Sequence, residues 1–215
     1  NPLDQVAVYY AGGPYHQTGT WTYEWDGVNW TEYQTTVNPG YFDGHNMAFM
    51  GELGGIVLYQ GNANILGLEE QFWFYKDHSW TELQPETSPG NRGSAAMSYD
   101  SHRDCVVMFG GAVDKETYPY DIEYTHDTWE FDGVDWYLRN PEHHPPALRC
   151  AHMTFDSCRN ITVLFGGYEE YGWHLDTWEY DGIDWTRIEP ATSKPIPRYD
   201  GMLCFDTHRC RSVLH

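Results

Sequence analysis

Three arginines recur at one place in this chain: Arg92, Arg149 and Arg198 stand seven or eight residues ahead of Asp100, Asp156 and Asp206. Only 12 Lys and Arg accompany 32 Asp and Glu, so three arginines at one repeated position form a pattern. A guanidinium presents its N–H donors in a planar fork, which suits a ligand carboxylate, a structural ion pair or a clamp on backbone carbonyls. From the residues alone these uses stay open. The aromatic candidates sit between strand-like runs: Tyr15 in Pro14 to Gly19, and Tyr171, Trp173 and His174 in Tyr168 to Leu175. Trp173 has no counterpart in the other repeats, so repeat architecture does not require it. It is placed to stack on a ligand or to pack its own loop.

Groups for catalysis are sparse. The chain has no glycine loop for phosphates, no Gly-x-Ser-x-Gly elbow and no His-Glu-x-x-His pair. His143 and His144 lie in a Pro-rich connector, and a metal pair from them would need His174 as well. Asp114, Glu116, Asp121 and Glu123 carry the oxygens calcium prefers but not the spacing of an EF-hand loop. The reading is therefore no catalytic residue, no metal and no cofactor.

What positions these residues is a sentence written four times. Its clearest copies are Asp127-Thr128-Trp129-Glu130-Phe131-Asp132-Gly133-Val134-Asp135-Trp136 and Asp176-Thr177-Trp178-Glu179-Tyr180-Asp181-Gly182-Ile183-Asp184-Trp185. Another runs from Tyr23 to Trp30, and a worn one from Trp73 through Tyr75 to Trp80. The closing tryptophans Trp30, Trp80, Trp136 and Trp185 are 50, 56 and 49 residues apart, the interval of propeller blades. Each repeat resolves into four short strand signals. In one of them Ala151 to Phe155 alternates, Asp156 to Asn160 turns, and Ile161 to Phe165 returns as a β-branched run ending at Gly166-Gly167. Asp176 to Tyr180 then makes a third strand, Asp181-Gly182 the hairpin turn and Trp185 to Ile188 the fourth.

The second-strand motif recurs as Val8 to Gly13, Val57 to Gly61, Val107 to Gly111 and Val163 to Gly167. A hydrophobic strand closed by paired glycines, with a tryptophan downstream in an aromatic strand, resembles the Kelch repeat across nearly the whole chain. The last two copies match well, while Gln60 and the stretch from Phe74 to Asp77 depart from it. The resemblance implies an all-β, Kelch-type β-propeller with four-stranded antiparallel blades, and tryptophans such as Trp129 and Trp178 buried between blades. It implies one domain over 1–215, with units at 1–41, 42–91, 92–148, 149–197 and a partial 198–215. It also implies a noncatalytic recognition or scaffold role, binding a protein or carbohydrate on the face formed by the second-to-third and fourth-to-first connections. The expected contacts there are Arg92, Arg149, Arg198, Tyr15, Tyr171, Trp173 and His174. Alternatives on the same fold are an oxidase or carbohydrate-active enzyme with its site outside this segment, and a structural repeat of a surface assembly.

The chain opens and stops in second strands, so its end strands duplicate each other. Kelch-type propellers close with about six or seven blades, and the expectation is additional blades or self-association. The formal charge of −20 disfavours nucleic acid and anionic membrane partners through long-range repulsion. No apolar run reaches the roughly 18 residues of a membrane helix, so no membrane insertion is expected. The start Asn1-Pro2-Leu3-Asp4 is neither a signal peptide nor a basic leader. Two sequons, Asn29-Trp30-Thr31 and Asn160-Ile161-Thr162, fit a secreted or cell-surface protein. Cys105, Cys150, Cys158, Cys204 and Cys210 are an odd set without a Cys-x-x-Cys pair and are read as structural thiols.

Overall fold

A computed structural model describes residues 7–11, 21–40, 45–61, 69–115, 122–170, 172–190, 195–196 and 201–215. All regular structure among them is β. The first sheet holds β1 (Ala7–Ala11), β2 (Trp21–Trp25) and β3 (Trp30–Tyr33) in chain order. The second adds β4 (Asn46–Met50), β5 (Gly55–Gln60), β6 (Gln71–Lys76) and β7 (Ser79–Leu83), again in chain order. In the third, β8 (Arg92–Gly93) and β9 (Ala96–Asp100) both pair with β10 (Cys105–Asp114), followed by β11 (Ile122–Phe131) and β12 (Trp136–Arg139). The fourth comprises β13 (His152–Asp156), β14 (Ile161–Phe165), β17 (Thr177–Tyr180) and β18 (Trp185–Ile188), with β15 (Tyr168–Glu169) and β16 (Gly172–Trp173) forming a separate small hairpin between β14 and β17. A last hairpin joins β19 (Leu203–Asp206) to β20 (Arg211–Leu214). Every pairing is antiparallel, as expected of four-stranded blades.

Local chemistry explains the turns. Asp26, Asp132 and Asp181 each accept backbone N–H bonds of 2.7 to 3.0 Å from the residues two and three places on, closing three of the outer hairpins. The worn second copy lacks this sequence and turns instead on Asp77 and His78, both at positive φ. The paired glycines answer a second demand. Gly110 and Gly111 lie at φ 63° and 109°, where the connector to the fourth sheet crosses and Gly111 N–H donates to Leu148 O at 2.8 Å. A Cβ on Gly110 would stand 2.5 Å from that carbonyl, so no side chain fits.

Three apolar clusters join the sheets in succession. One spans the first and second around Tyr10, Leu58 and Trp80, one the second and third around Tyr59, Met108 and Trp136, one the third and fourth around Phe109, Leu164 and Trp185. All six residues of β5 are buried because apolar neighbours cover both faces of the second sheet.

The junctions come in two chemical forms. In the polar form, the Trp185 indole N–H donates to Thr128 Oγ1 at 2.9 Å and the Tyr180 hydroxyl to Glu130 at 3.0 Å. Trp80 and Tyr75 treat Thr22 and Glu24 of the first sheet alike, at 2.8 and 2.9 Å. Beside Glu130, Arg103 binds both that carboxylate and Asp100, and its Cζ lies 5.4 Å from the Tyr180 ring centre. The second sheet replaces the whole set: Met50, Leu53, Phe72 and Phe74 occupy the places of Asp100, Arg103, Thr128 and Glu130. Its neighbour accordingly brings Phe131 instead of a tyrosine. The Trp136 indole N–H is left without an acceptor, since Phe72 has no hydroxyl.

Two expectations are corrected. The fully buried tryptophans are Trp136 and Trp185, while Trp129 and Trp178 are only half-buried. The latter lie on β11 and β17, two residues before the Phe131 and Tyr180 that pair with the buried tryptophans, and Trp129 donates its N–H to Asp127 at 2.6 Å. Cys158 and Cys210 are joined in a disulfide linking the first-hairpin turns of the fourth and fifth repeats, with Cα atoms 5.9 Å apart. Buried Cys105 does behave as a structural thiol, because burial pushes its pKa up to about 12. Beyond a bulge at Phe109 and Gly111, β10 and β11 continue as a long antiparallel ribbon.

Trp185→Ala should lower stability by about 3 to 5 kcal/mol in urea denaturation, the usual cost of a large aromatic truncation. Phe131→Tyr is the sharper test: its hydroxyl would face Phe74 with no acceptor and should cost about 1 to 3 kcal/mol. A neutral Phe131→Tyr variant would show that the two junction types are not chemically distinct.

Candidate functional site

Arg92 and Arg149 are not equivalent, although both enter their sheets from a connector. Arg149 stands seven residues before its aspartate and Arg92 eight, and the backbone shows which residues correspond. Ser94 and Cys150 share positive φ of 58° and 55°. Gly93 pairs with Ala112, just past one glycine pair, and Arg149 with Tyr168, just past the next. Arg149 therefore takes the place of Gly93, and Leu148 that of Arg92. In extended backbone a one-residue offset sends the side chain to the opposite face.

Arg92 consequently faces inward, 3% exposed. Its guanidinium binds Asp127 Oδ1 at 2.7 Å, Gly110 O at 3.1 Å and the carbonyl of Pro89. It clamps the connector, the glycine turn and β11 together. Arg92, expected among the ligand contacts, is thus enclosed, with its charge matched within the chain.

Arg149 is half-buried and differently employed. Its backbone exchanges hydrogen bonds of 3.1 and 2.8 Å with Tyr168, which fixes its place beside β15. Its Cζ lies 5.1 Å from the ring centre of Tyr124 and 5.4 Å from that of Tyr168. Tyr168 meets Trp173 edge to face at 5.4 Å, and Trp173 is 41% exposed. Among the described residues Arg149 pairs with no carboxylate, and its Nε is buried without an acceptor. Arg103, Arg139, Arg159, Arg187 and Arg209 all hold one. The cluster is thus a cation seated between phenol rings, with an exposed indole beside it.

Of the other expected contacts, His174 is largely buried against Asp176 and accepts the Trp178 indole N–H at 3.4 Å, so it supports β17. Tyr15, Tyr171 and Arg198 lie outside the described residues. The residues that sequence reasoning passed over are Tyr124 and Tyr168. A signal existed for both: Arg149 alone breaks the eight-residue spacing to aspartate, and Tyr168 directly follows a glycine pair.

A separate cleft of about 600 Å³ is lined by Glu142, His143, His144, Trp178 and the β18 entrance. Three of its charged groups are already engaged: His143 sits 2.7 Å from Asp184, which raises the imidazole pKa, and Arg187 sits 2.7 Å from Asp176. Hence we place the candidate site at Arg149. Among the described residues no group of three or more His, Cys, Asp or Glu is arranged to hold a metal ion. His143 is taken by Asp184, while His144 stacks on His126 at 4.3 Å.

The fold and this cluster define an all-β protein of successive antiparallel sheets with a cationic, aromatic loop-side surface. No protein-family model and no curated protein matches the chain. Among solved structures it is similar to one titled "Structure of YjhT", with 15% identity and a TM-score of 0.64, over 86% of this chain and 63% of that one. At that identity the likeness speaks to the fold alone. The chain spans less than two thirds of the YjhT chain.

The two arginines should separate in denaturation experiments. Arg92→Ala strands a partly buried carboxylate and should cost about 3 to 5 kcal/mol, whereas Arg149→Ala loses only ring contacts and should cost about 1 kcal/mol. Acid should act through the same clamp. Burial pushes the Asp127 carboxyl up, but the hydrogen bond and charge of Arg92 outweigh it and hold it below the ordinary range. A carboxyl depressed in the folded state contributes stability above its unfolded value of about 3.9 and loses it as pH falls through the folded value. Asp127→Asn should therefore flatten the fall in stability below about pH 4, and an unchanged acid limb would remove Asp127 from that role.

Proposed function

We propose that this chain is a noncatalytic recognition module built of Kelch-type blades, which holds an acidic protein or carbohydrate ligand over Arg149 on its loop-side face. The observation that carries this reading is the unmatched Arg149 cation in a chain of formal charge −20. Carboxylates outnumber cations heavily here, yet none of the described ones reaches it.

The surroundings suit the task. Tyr124 and Tyr168 hold the guanidinium in place before a ligand arrives, so less side-chain entropy is lost on binding. A carboxylate would engage the open edge of the fork, and Trp173 would cover the adjoining apolar or sugar-ring surface. The general acidity of the protein repels anions at long range, so selectivity would rest on contacts made at the site itself.

Calorimetric titration with a glutamate-rich peptide and with a uronic-acid oligosaccharide tests the proposal. Arg149→Ala and Trp173→Ala should each weaken the binding member by about 1 to 3 kcal/mol while leaving the far-ultraviolet spectrum unchanged. Arg149→Lys keeps the charge but not the planar fork and should recover only part of the loss. Equal affinity in the parent and both alanine variants, or no heat with either ligand class, refutes it.

A further inference from the structure

Asn160 and Thr162 frame the start of β14, and the fold explains only the first of them. Asn160 ends the turn after β13 at a φ of 56°, as Gly54, Asp104 and Cys210 end the equivalent turns at 64°, 53° and 49°. Asparagine tolerates that conformation, so the backbone accounts for it. Thr162 has no such account. It is fully buried, and its Oγ1 has no hydrogen-bond partner. The corresponding residues of the second and third sheets are Ile56 and Val106, which pair with Tyr75 and Phe131 as Thr162 pairs with Tyr180. These two are buried as well, and wholly apolar. Valine differs from threonine by a methyl in place of the hydroxyl, so the fold gains nothing from that oxygen and bears the cost of leaving it unpaired.

We propose that the Thr162 hydroxyl serves the chain before it folds, as the third position of a glycosylation sequon, and that Asn160 carries an N-linked glycan. Asn160-Ile161-Thr162 has the required form: an asparagine, a residue other than proline, and a hydroxyl. A transferase meets the extended chain, in which Thr162 is accessible. The donor is an oligosaccharide linked through diphosphate to a lipid. The Asn160 Nδ2 attacks its anomeric carbon, the bond from that carbon to the diphosphate oxygen breaks, the lipid diphosphate leaves, and the amide gives up one proton to base.

An independent observation supports the compartment. Cys158 stands in the same turn and is joined to Cys210. Disulfides form and persist in oxidising, secretory surroundings, where such sequons are used. The folded chain also has room for the glycan. Asn160 is exposed at the turn end of β14, whereas Arg149 bonds Tyr168 beyond the opposite end of that strand. A glycan on Asn160 leaves the proposed recognition surface clear, and the inference stands without that surface. The other sequon, Asn29-Trp30-Thr31, carries no comparable signal, because Thr31 is exposed and its hydroxyl costs the fold nothing.

The test secretes the chain from a eukaryotic host, releases N-glycans with a peptide-N-glycosidase in heavy-oxygen water and maps the labelled aspartates by mass spectrometry. Asn160 should be labelled in most molecules. Asn160→Gln and Thr162→Val should each abolish that label, and Thr162→Ser should keep part of it. A second measurement reads the cost of the hydroxyl directly. Made in a bacterial periplasm that lacks the transferase, the Thr162→Val chain should melt roughly 2 to 4 °C above the equally unglycosylated parent. An unmodified Asn160, label confined to Asn29, or a Thr162→Val chain no more stable than that parent overturns the inference.

Discussion

At two of the three sheet junctions a tyrosine and a tryptophan insert, hydrogen-bonded, against a threonine and a glutamate of the sheet before, and the alignment of those sheets depends on it. A β-sheet with two apolar faces is stable only when both are covered, and here each sheet covers the one before it. Apolar burial provides the attraction, but it is indifferent to rotation and sliding. The Trp-to-Thr and Tyr-to-Glu bonds remove that freedom, because a displaced sheet would leave a buried carboxylate and a buried indole N–H unpaired. Burial raises the Tyr180 pKa and Glu130 adds to it, so the phenol stays protonated and keeps donating.

Charge follows the same economy. An acidic chain with few cations commits nearly every described arginine to holding a turn or a socket together. Arg103 and Arg159 brace first-hairpin turns and glutamates at once, and Arg92 binds a connector to a glycine turn. Against that background Arg149 stands apart through a single residue of spacing. Shifted by one in extended backbone, its side chain leaves the carboxylate-lined interior for the aromatic loop side.

The two sides of the molecule are thereby given different work. The inter-sheet faces are matched to one another, polar set against polar donors at two junctions and apolar against apolar at the third, which suits assembly of sheets. The loop side varies from repeat to repeat in length and composition, with the extended β10 and β11 ribbon carrying Tyr124 and the small β15 and β16 hairpin carrying Trp173. Variation on a rigid frame is how loops come to hold binding residues.

Much of the fold was legible in the residues. The 49- to 56-residue recurrence of Trp, the Asp-Gly hairpin turns and the paired glycines each reflect local backbone or packing requirements that repeat with the sheet. Strand limits such as Ile161–Phe165 and Trp185–Ile188 could be read directly. The site was legible only in part: Arg149 and Trp173 were singled out by type and place, but Arg92 was grouped with Arg149 although it points the other way. Which face an arginine occupies depends on strand register, and register is settled by pairing with residues distant in sequence. Tyr124 meets Arg149 across a connector, Cys158 meets Cys210 one repeat further on, and Glu130 is covered by Tyr180. Local periodicity belongs to the chain itself; contacts between remote segments, and the burial and charge matching that come with them, exist only after the sheets have packed.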